Sequence, residues 1–163
     1  MNIAYLLTGG NLGNRMANLQ HASYLIEQSA GRLVGFSQIY QTAAWGINDQ
    51  PAFLNQVLQI ETAQKADDLL TIILDIEMEM GRTRTLKFGP RLIDIDILFF
   101  NDEVIHSKEL VIPHPEIQNR RFVLVPLCEI SPYLLHPVLK KTVQQLLSEC
   151  NDPLEVTQYS HVD

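Results

Sequence analysis

The sequence has no surplus of positive charge and little cysteine. Twelve lysines and arginines stand against 19 aspartates and glutamates, which gives a net charge of -7 over 163 residues. A general nucleic-acid binder or a ligand of anionic membranes needs a basic surface, so this balance argues against both. The two cysteines, Cys128 and Cys150, lie far apart without metal-type spacing, which argues against a disulfide scaffold.

Long apolar runs and the common nucleotide-binding signatures are also missing. No stretch approaches the roughly 20 apolar residues that span a bilayer, and the first residues lack the basic start of a secretory signal. The sequence contains neither a Walker-type phosphate loop nor a kinase glycine-rich fingerprint, and the glycines of 9–13 make an unconvincing phosphate cradle. We therefore expect a cytoplasmic protein outside the P-loop and protein-kinase folds.

Hydrophobic periodicity predicts a βαββαβ order for the first hundred residues. Apolar runs predict strands over 3–8, 33–40, 53–60 and 92–100, with the glycines after Thr8 forming a turn. Asn14 caps one predicted helix, and Leu69, Ile73, Ile76 and Met80 mark another that ends at Gly81.

This order is typical of ferredoxin-like α+β folds, in which we expect the first and fourth strands to be central neighbours. The strand over 92–100 should then be buried on both faces, with Ile93, Ile95, Ile97 and Phe99 together on one of them. A small hairpin over 103–112 and helices over 120–130 and 142–150 complete the prediction. The predicted fold is therefore a ferredoxin-like antiparallel core with a C-terminal hairpin and helices, forming one domain over 1–163.

Two aspartates lie within this apolar fourth strand. Asp94 and Asp96 are two residues apart, so both carboxylates point to one face about 6.6–7 Å apart. Burying two ionised carboxylates costs on the order of several kcal/mol unless a cation compensates for their charge. Oxygen ligands that leave room for water and phosphate suit Mg²⁺. The alternative is that one or both aspartates cap loops or pair with arginines.

A concentrated basic segment precedes that strand. Arg82, Arg84, Lys87 and Arg91 are four of the chain's twelve lysines and arginines, within ten positions. Guanidinium groups hold phosphate oxygens bidentately, and the glycines at both ends would let the segment close over a ligand. A solvated basic turn is the alternative. Carboxylates, Mg²⁺ and arginines converging on a polyphosphate predict ATP-dependent phosphoryl transfer.

Several ordered segments resemble the 6-hydroxymethyl-7,8-dihydropterin pyrophosphokinase family of folate biosynthesis. They are YQTAAWG from Tyr40, QPAFLN from Gln50, GRTRTLKFGPRLIDIDILFF from Gly81, IPHP from Ile112 and NRRFVLVPL from Asn119. The resemblance implies transfer of pyrophosphate from ATP to the pterin hydroxymethyl group with release of AMP. It also implies two Mg²⁺ ions on Asp94 and Asp96 and the small-molecule substrates ATP and 6-hydroxymethyl-7,8-dihydropterin. We expect a monomer that binds neither nucleic acid nor membranes.

The resemblance further implies roles for individual residues. Catalytic roles fall on Arg82, Arg91 and Asp96. Nucleotide contacts fall on Glu77, Arg82, Arg84, Arg91, Ile97, His114 and Arg120. The pterin pocket is implied to be lined by Thr42, Ala43, Ala44, Trp45, Phe53, Asn55 and Phe122.

The residues by themselves support these roles unequally. Phe53 and Asn55 share a strand face, which suits a flat ring that needs stacking and an amide partner. Phe122 alone would be taken for a core aromatic, His114 for a turn residue near the surface, and Glu77 for a solvated or arginine-paired side chain.

Two other functions fit parts of the pattern. A nucleotidyltransferase can also mount paired aspartates on a ferredoxin-like sheet, but it would release pyrophosphate rather than AMP. A non-catalytic small-molecule sensor domain would need neither the carboxylate pair nor the basic segment.

Overall fold

Eight strands and four helices form within residues 1–43, 51–81 and 92–160, which are the residues described by this computed structural model. The strands are β1 (Asn2–Gly10), β2 (Arg32–Phe36), β3 (Tyr40–Thr42), β4 (Phe53–Thr62), β5 (Asp94–Phe100), β6 (Ile105–His106), β7 (Val111–Ile112) and β8 (Val156–Gln158). The helices are α1 (Arg15–Ser29), α2 (Ala66–Glu79), α3 (Arg121–Ile130) and α4 (Val143–Glu149), and a short 3-10 turn spans Ile117–Asn119.

The main sheet is antiparallel and has the strand order β5-β1-β4-β3-β8, with β2 also paired to β4. Together with the helices, this order confirms the α+β ferredoxin-like fold, and the β6–β7 hairpin confirms the predicted hairpin. The prediction that β5 is a central strand is wrong. Among the described strands, β5 pairs only with β1, so it lies at the edge of the sheet.

Helices cover both faces of the sheet and create two cores. On one face, α1 and α2 pack through Leu19, Ile26, Leu69 and Ile73 against the apolar side chains of β1, β4 and β5. On the other face, α3 and α4 form a second core, whose members include Leu7, Val57, Leu98, Phe99, Leu124 and Leu146. Strand β5 is therefore covered on both faces despite its edge position, as the sequence predicts.

The alternation along β5 is interrupted after Ile97. The register between β1 and β5 shifts between Tyr5 and Leu6, so that Phe99 pairs with Tyr5 and Ile97 with Leu6. This bulge moves Phe99 into the second core and Phe100 into the first. The prediction that Phe99 shares a face with Ile97 is therefore wrong, because a strict two-residue period ignores the extra residue.

Three further strand predictions need correction. Strand β1 continues through Gly9 and Gly10, where a turn was expected. The predicted strand 33–40 is two strands, β2 and β3. Between them Ser37 keeps contact with β4, because its N–H donates to the Val57 carbonyl and its Oγ accepts the Val57 N–H. Strand β8 was not predicted at all.

The helix predictions are confirmed. The Asn14 side chain accepts the Ala17 N–H and caps α1. Gly81 follows α2 with φ of 83°, a conformation that glycine adopts at low cost. In the described parts of the chain, no helix combines the length and apolar character needed to cross a bilayer.

A buried histidine organises the turn before α4. The Nδ1 atom of His136 accepts the N–H groups of Val138 and Leu139 at 3.2 and 3.0 Å, and the ring meets the edge of Phe99 at 5.6 Å. These bonds require the neutral imidazole with its proton on Nε2, and burial lowers the pKa of His136.

We therefore expect His136 to make stability depend on pH. Because its pKa is lower in the folded than in the unfolded chain, the unfolded chain binds the proton first as pH falls below about 6.5. The free energy of unfolding should fall between pH 7 and 5 in urea titrations. His136→Asn, which keeps an acceptor but does not titrate, should reduce that slope in part, because burial also lowers the pKa of His114. The exposed control His21→Asn should leave the slope unchanged. Equal slopes in wild type and His136→Asn would refute this role.

Candidate active site

One cavity of about 140 Å³ collects residues from four strands and the start of α3. It is lined by Leu7, Gly9, Thr42, Ala43, Phe53, Asn55, Asp94, Asp96, Arg120 and Phe122. Eight of these ten were singled out from the sequence. The cavity therefore brings residues that lie far apart in the chain to one place.

The acidic side of the cavity is formed by the start of β5. Asp94 and Asp96 both line the cavity, as their two-residue spacing predicts, and they pair with Gly9 and Leu7 of β1. Both aspartates are half-buried, while Ile95 between them is buried in the core of the opposite face. Two carboxylates are thus directed into a partly dehydrated space by the pleat of one strand.

The opposite side offers an aromatic ring, an amide and a hydroxyl. Phe53 and Asn55 are two residues apart on β4 and therefore lie on the same face of the strand. Thr42 is the last residue of the neighbouring strand β3. Thr42 is only 3% exposed, and its Oγ1 has no hydrogen-bond partner among the described residues. Within the described part of the chain, the Asn55 side-chain amide makes one hydrogen bond, a long one of 3.5 Å to the Thr8 carbonyl. A buried hydroxyl without a partner is costly, so this side is suited to a polar ligand.

Leu7 and Gly9 are the lining residues that the sequence analysis missed. A Cβ built on Gly9 would lie 2.1 Å from Nδ2 of Asn55, so only glycine leaves Asn55 its position. A glycine inside a strand signals such a close approach. That signal was available in the sequence, but it was interpreted as a turn.

The start of α3 contributes a positive charge and a second aromatic ring. The Arg120 guanidinium lies over the Phe122 ring, 5.7 Å from its centroid, and both residues line the cavity. The Asp152 carboxylate accepts the Arg121 N–H at 3.0 Å, which fixes the first turn of the helix. Phe122 is half-buried: it packs against the second core, as the residue by itself suggests, and it also lines the cavity.

His114 lies next to the cavity rather than in its lining. Its N–H donates to the Leu98 carbonyl of β5, and its Nδ1 accepts the Glu116 N–H at 3.1 Å. Burial first, and then the positive charge of Arg120, lower the pKa of His114 to about 4. The imidazole is therefore neutral at physiological pH and carries its proton on Nε2. Its half-buried position corrects the expectation of a surface turn residue.

Glu77 is not solvated, contrary to the expectation from its position on α2. It is only 3% exposed, and its Oε2 accepts the Ile95 N–H at 2.8 Å. Since Ile95 stands between Asp94 and Asp96 on the edge strand, this bond ties the end of α2 to the strand segment that carries the carboxylate pair.

The remaining predicted site residues divide into two groups. The Ile97 side chain packs in the core on the face opposite the cavity, so a nucleotide contact would have to come from its main chain. The other predictions lie outside the described residues: Ala44, Trp45, Arg82, Arg84 and Arg91.

Comparison with known proteins identifies the family. Residues 5–132 match the family described as 7,8-dihydro-6-hydroxymethylpterin-pyrophosphokinase (HPPK). The chain belongs to the HPPK family. The match spans both sides of the cavity, from β1 through the start of α3.

Two curated relatives are named as pyrophosphokinases, and a third is named as a folic acid synthesis protein. The 2-amino-4-hydroxy-6-hydroxymethyldihydropteridine pyrophosphokinase of Aquifex aeolicus is 39% identical over 91% of this chain and 92% of its own length. The enzyme of the same name from Bacillus subtilis is 45% identical over 79% of this chain and 78% of its own. The folic acid synthesis protein fol1 of Schizosaccharomyces pombe is 41% identical over 90% of this chain, which spans only 20% of fol1.

Solved structures agree on the fold. A Plasmodium falciparum HPPK-DHPS structure superposes with a TM-score of 0.77 at 20% identity, covering 91% of this chain and 45% of that one. The chain thus corresponds to one HPPK part of longer proteins and to nearly the whole length of the Aquifex relative.

We predict that the Glu77–Ile95 bond protects the β5 edge. In Glu77→Leu the Ile95 N–H loses its acceptor, whereas Glu77→Gln retains one. Amide hydrogen exchange at Ile95 should accelerate about fivefold in Glu77→Leu, since a hydrogen bond contributes about 1 kcal/mol. Glu77→Gln should stay near the wild-type rate. Unchanged Ile95 exchange in Glu77→Leu would show that the bond does not hold this strand segment.

Proposed function

We propose that this chain transfers the pyrophosphoryl group of ATP to the hydroxymethyl group of 6-hydroxymethyl-7,8-dihydropterin and releases AMP. The names of its HPPK relatives describe a pyrophosphokinase that acts on a hydroxymethyldihydropterin, which supports the proposal. The observation that carries the proposal is the shared cavity. Paired carboxylates on β5 face the same space as an aromatic ring, a buried hydroxyl and an amide on β3 and β4.

The pterin half of the cavity is assigned to Thr42, Asn55 and the two phenylalanines. A flat bicyclic ring can stack on the Phe53 and Phe122 faces. The buried Thr42 Oγ1 would gain the hydrogen-bond partner that it lacks, and the Asn55 amide can both donate and accept. Ala43 lies beside them, and we assign Ala44 and Trp45 to the same pocket on the family resemblance alone.

The carboxylate pair suits Mg²⁺. The described residues contain no group of three or more histidines, cysteines or acidic residues placed to hold a metal ion, which disfavours a closed all-protein metal cage. Asp94 and Asp96 instead offer hard oxygen ligands at the wall of an open cavity, where water and substrate phosphates can complete the shell. We propose two ions there, and bound Mg²⁺ would neutralise charge on the triphosphate.

In the proposed reaction the pterin hydroxymethyl oxygen attacks the β-phosphorus of ATP. A new oxygen–phosphorus bond forms, the bond between the β-phosphorus and the α-phosphate oxygen breaks, and AMP leaves. The cavity holds both reactants side by side and so removes much of the entropic barrier. Asp96, which faces the cavity, is our candidate acceptor of the hydroxyl proton.

Cationic and neutral donors surround the proposed phosphate position. Arg120 lines the cavity, and the neutral His114 can donate from Nε2 to an anionic oxygen without adding charge. We assign Arg82 and Arg91 to charge developing in the transition state and Arg84 to ATP binding, by the family resemblance. Glu77 acts beneath this site through Ile95. We also propose a monomer with one catalytic domain over 1–163.

Product analysis tests the function. Incubation with ATP, Mg²⁺ and 6-hydroxymethyl-7,8-dihydropterin should yield AMP by chromatography. Turnover of Asp96→Asn should fall at least about 100-fold, because the substitution removes both a proposed Mg²⁺ ligand and the proposed acceptor of the hydroxyl proton. Asp102→Asn, an exposed carboxylate on the turn after β5, is the matched control and should retain wild-type turnover. Release of pyrophosphate would instead indicate a nucleotidyltransferase, and near-normal turnover in Asp96→Asn would contradict the site assignment.

Thr42 provides a test of the pterin half. Thr42→Val has the same shape but no hydroxyl, so it should raise the KM for the pterin about tenfold, as loss of one hydrogen bond predicts. The KM for ATP should stay unchanged. Thr42→Ser keeps the hydroxyl and should remain close to wild type. Equal pterin KM values for wild type and Thr42→Val would place the ring away from Thr42.

A further inference from the structure

The first residue of α1 connects several segments that border the cavity. The Arg15 Nη1 donates to the Ala52 carbonyl at 2.8 Å, directly before Phe53. The same nitrogen lies 3.5 Å from Oε1 of Gln41, the β3 residue before Thr42. One guanidinium thus contacts both strands that supply the aromatic and hydroxyl side of the cavity.

The Tyr159 ring of the C-terminal segment lies against this guanidinium. The Cζ of Arg15 lies 5.6 Å from the centroid of the Tyr159 ring. Tyr159 donates its N–H to the Ile39 carbonyl, and the preceding residues pair as β8 with Tyr40–Thr42. The segment after α4 therefore runs beside β3 and places the Tyr159 ring against Arg15.

A second side chain from the same connection reinforces the contact. The Asn11 Nδ2 donates to the Pro51 carbonyl at 3.0 Å, next to the carbonyl that Arg15 holds. Two successive carbonyls at the entry to β4 are thus bound by side chains of the β1–α1 connection. Such bonds fix the backbone position from which Phe53 projects into the cavity.

We propose that Arg15, Tyr159, Asn11 and β8 together position the pterin half of the site. We call this set of residues the brace. Arg15 touches no lining side chain of the acidic half in the described contacts, so it is a positioning residue. The inference rests on the proposed function, because it assigns the Phe53 and Thr42 side of the cavity to pterin.

The proposal differs from a purely structural role in a measurable way. Loss of a residue that only stabilises the fold would weaken the binding of both substrates or of neither. The brace contacts β3 and the entry to β4, whereas the carboxylates lie on β5 at the far edge of the sheet order. Its loss should therefore weaken pterin binding selectively.

Equilibrium titrations test the brace in the full chain. Binding of 6-hydroxymethyl-7,8-dihydropterin is measured with Mg²⁺ and saturating α,β-methylene-ATP, which cannot release AMP. Arg15→Met keeps the apolar stem but loses the donors, and it should raise the pterin Kd about tenfold, as loss of a hydrogen bond from a charged donor predicts. The Kd of α,β-methylene-ATP alone should change by less than about twofold, within ordinary surface-substitution effects.

Tyr159 supplies an independent pair of variants. Tyr159→Leu removes the ring and should raise the pterin Kd about threefold, the size expected for a partly exposed cation–π contact. Tyr159→Phe retains the ring face and should restore wild-type binding. Arg32→Met is the matched control and should bind pterin normally, since Arg32 on β2 forms a largely exposed ion pair with Glu61 on β4.

The outcomes separate this inference from the proposed function. Wild-type chain that does not bind the pterin overturns both. Wild-type binding with an unchanged pterin Kd in Arg15→Met and Tyr159→Leu overturns the brace alone. Equal weakening of pterin and ATP-analogue binding also overturns it, because that result marks a general structural role.

Discussion

The charge on Asp94 and Asp96 is the constraint around which the site is organised. Two carboxylates project from one strand into a half-buried cavity whose other walls include Leu7, Phe53 and Phe122. Such a pair is stable in the ionised form when cations share the space. On its other side the cavity contains the buried Thr42 hydroxyl, which has no hydrogen-bond partner among the residues that the structure describes. Binding Mg²⁺, triphosphate and pterin together would satisfy both sides at once.

The surrounding fold holds this arrangement by securing an edge strand. β5 has one strand neighbour in the described sheet, and its outer edge is bonded by Glu77 at Ile95 and by His114 at Leu98. Both residues belong to the predicted nucleotide set, and both hold the strand that bears the carboxylates, Glu77 through its side-chain carboxylate and His114 through its main-chain N–H. The position of β5 and the proposed binding of nucleotide therefore depend on the same two residues, Glu77 and His114.

Much of this was predictable because it depends on local pattern. The two-residue period placed Asp94 and Asp96 on one face, and the helical period identified α2. What local pattern could not predict depends on distant partners. The bulge that separates Phe99 from Ile97 arises from pairing with β1. Glu77 is buried where its carboxylate accepts the Ile95 N–H, and β8 forms by pairing with β3. Gly9 is different, because a glycine within a strand signals the close approach to Asn55 but was interpreted as a turn. The loop arginines were predicted from the sequence alone and stay predictions.

The most direct test of the account is the position of the cation. A crystal of the chain with Mn²⁺ in place of Mg²⁺, α,β-methylene-ATP and pterin would locate the metal by anomalous scattering. The account predicts metal density bonded to the carboxylates of both Asp94 and Asp96, with the pterin ring against Phe53 and Phe122 in the same cavity. Metal density away from those carboxylates, with the nucleotide and pterin both bound, would contradict it.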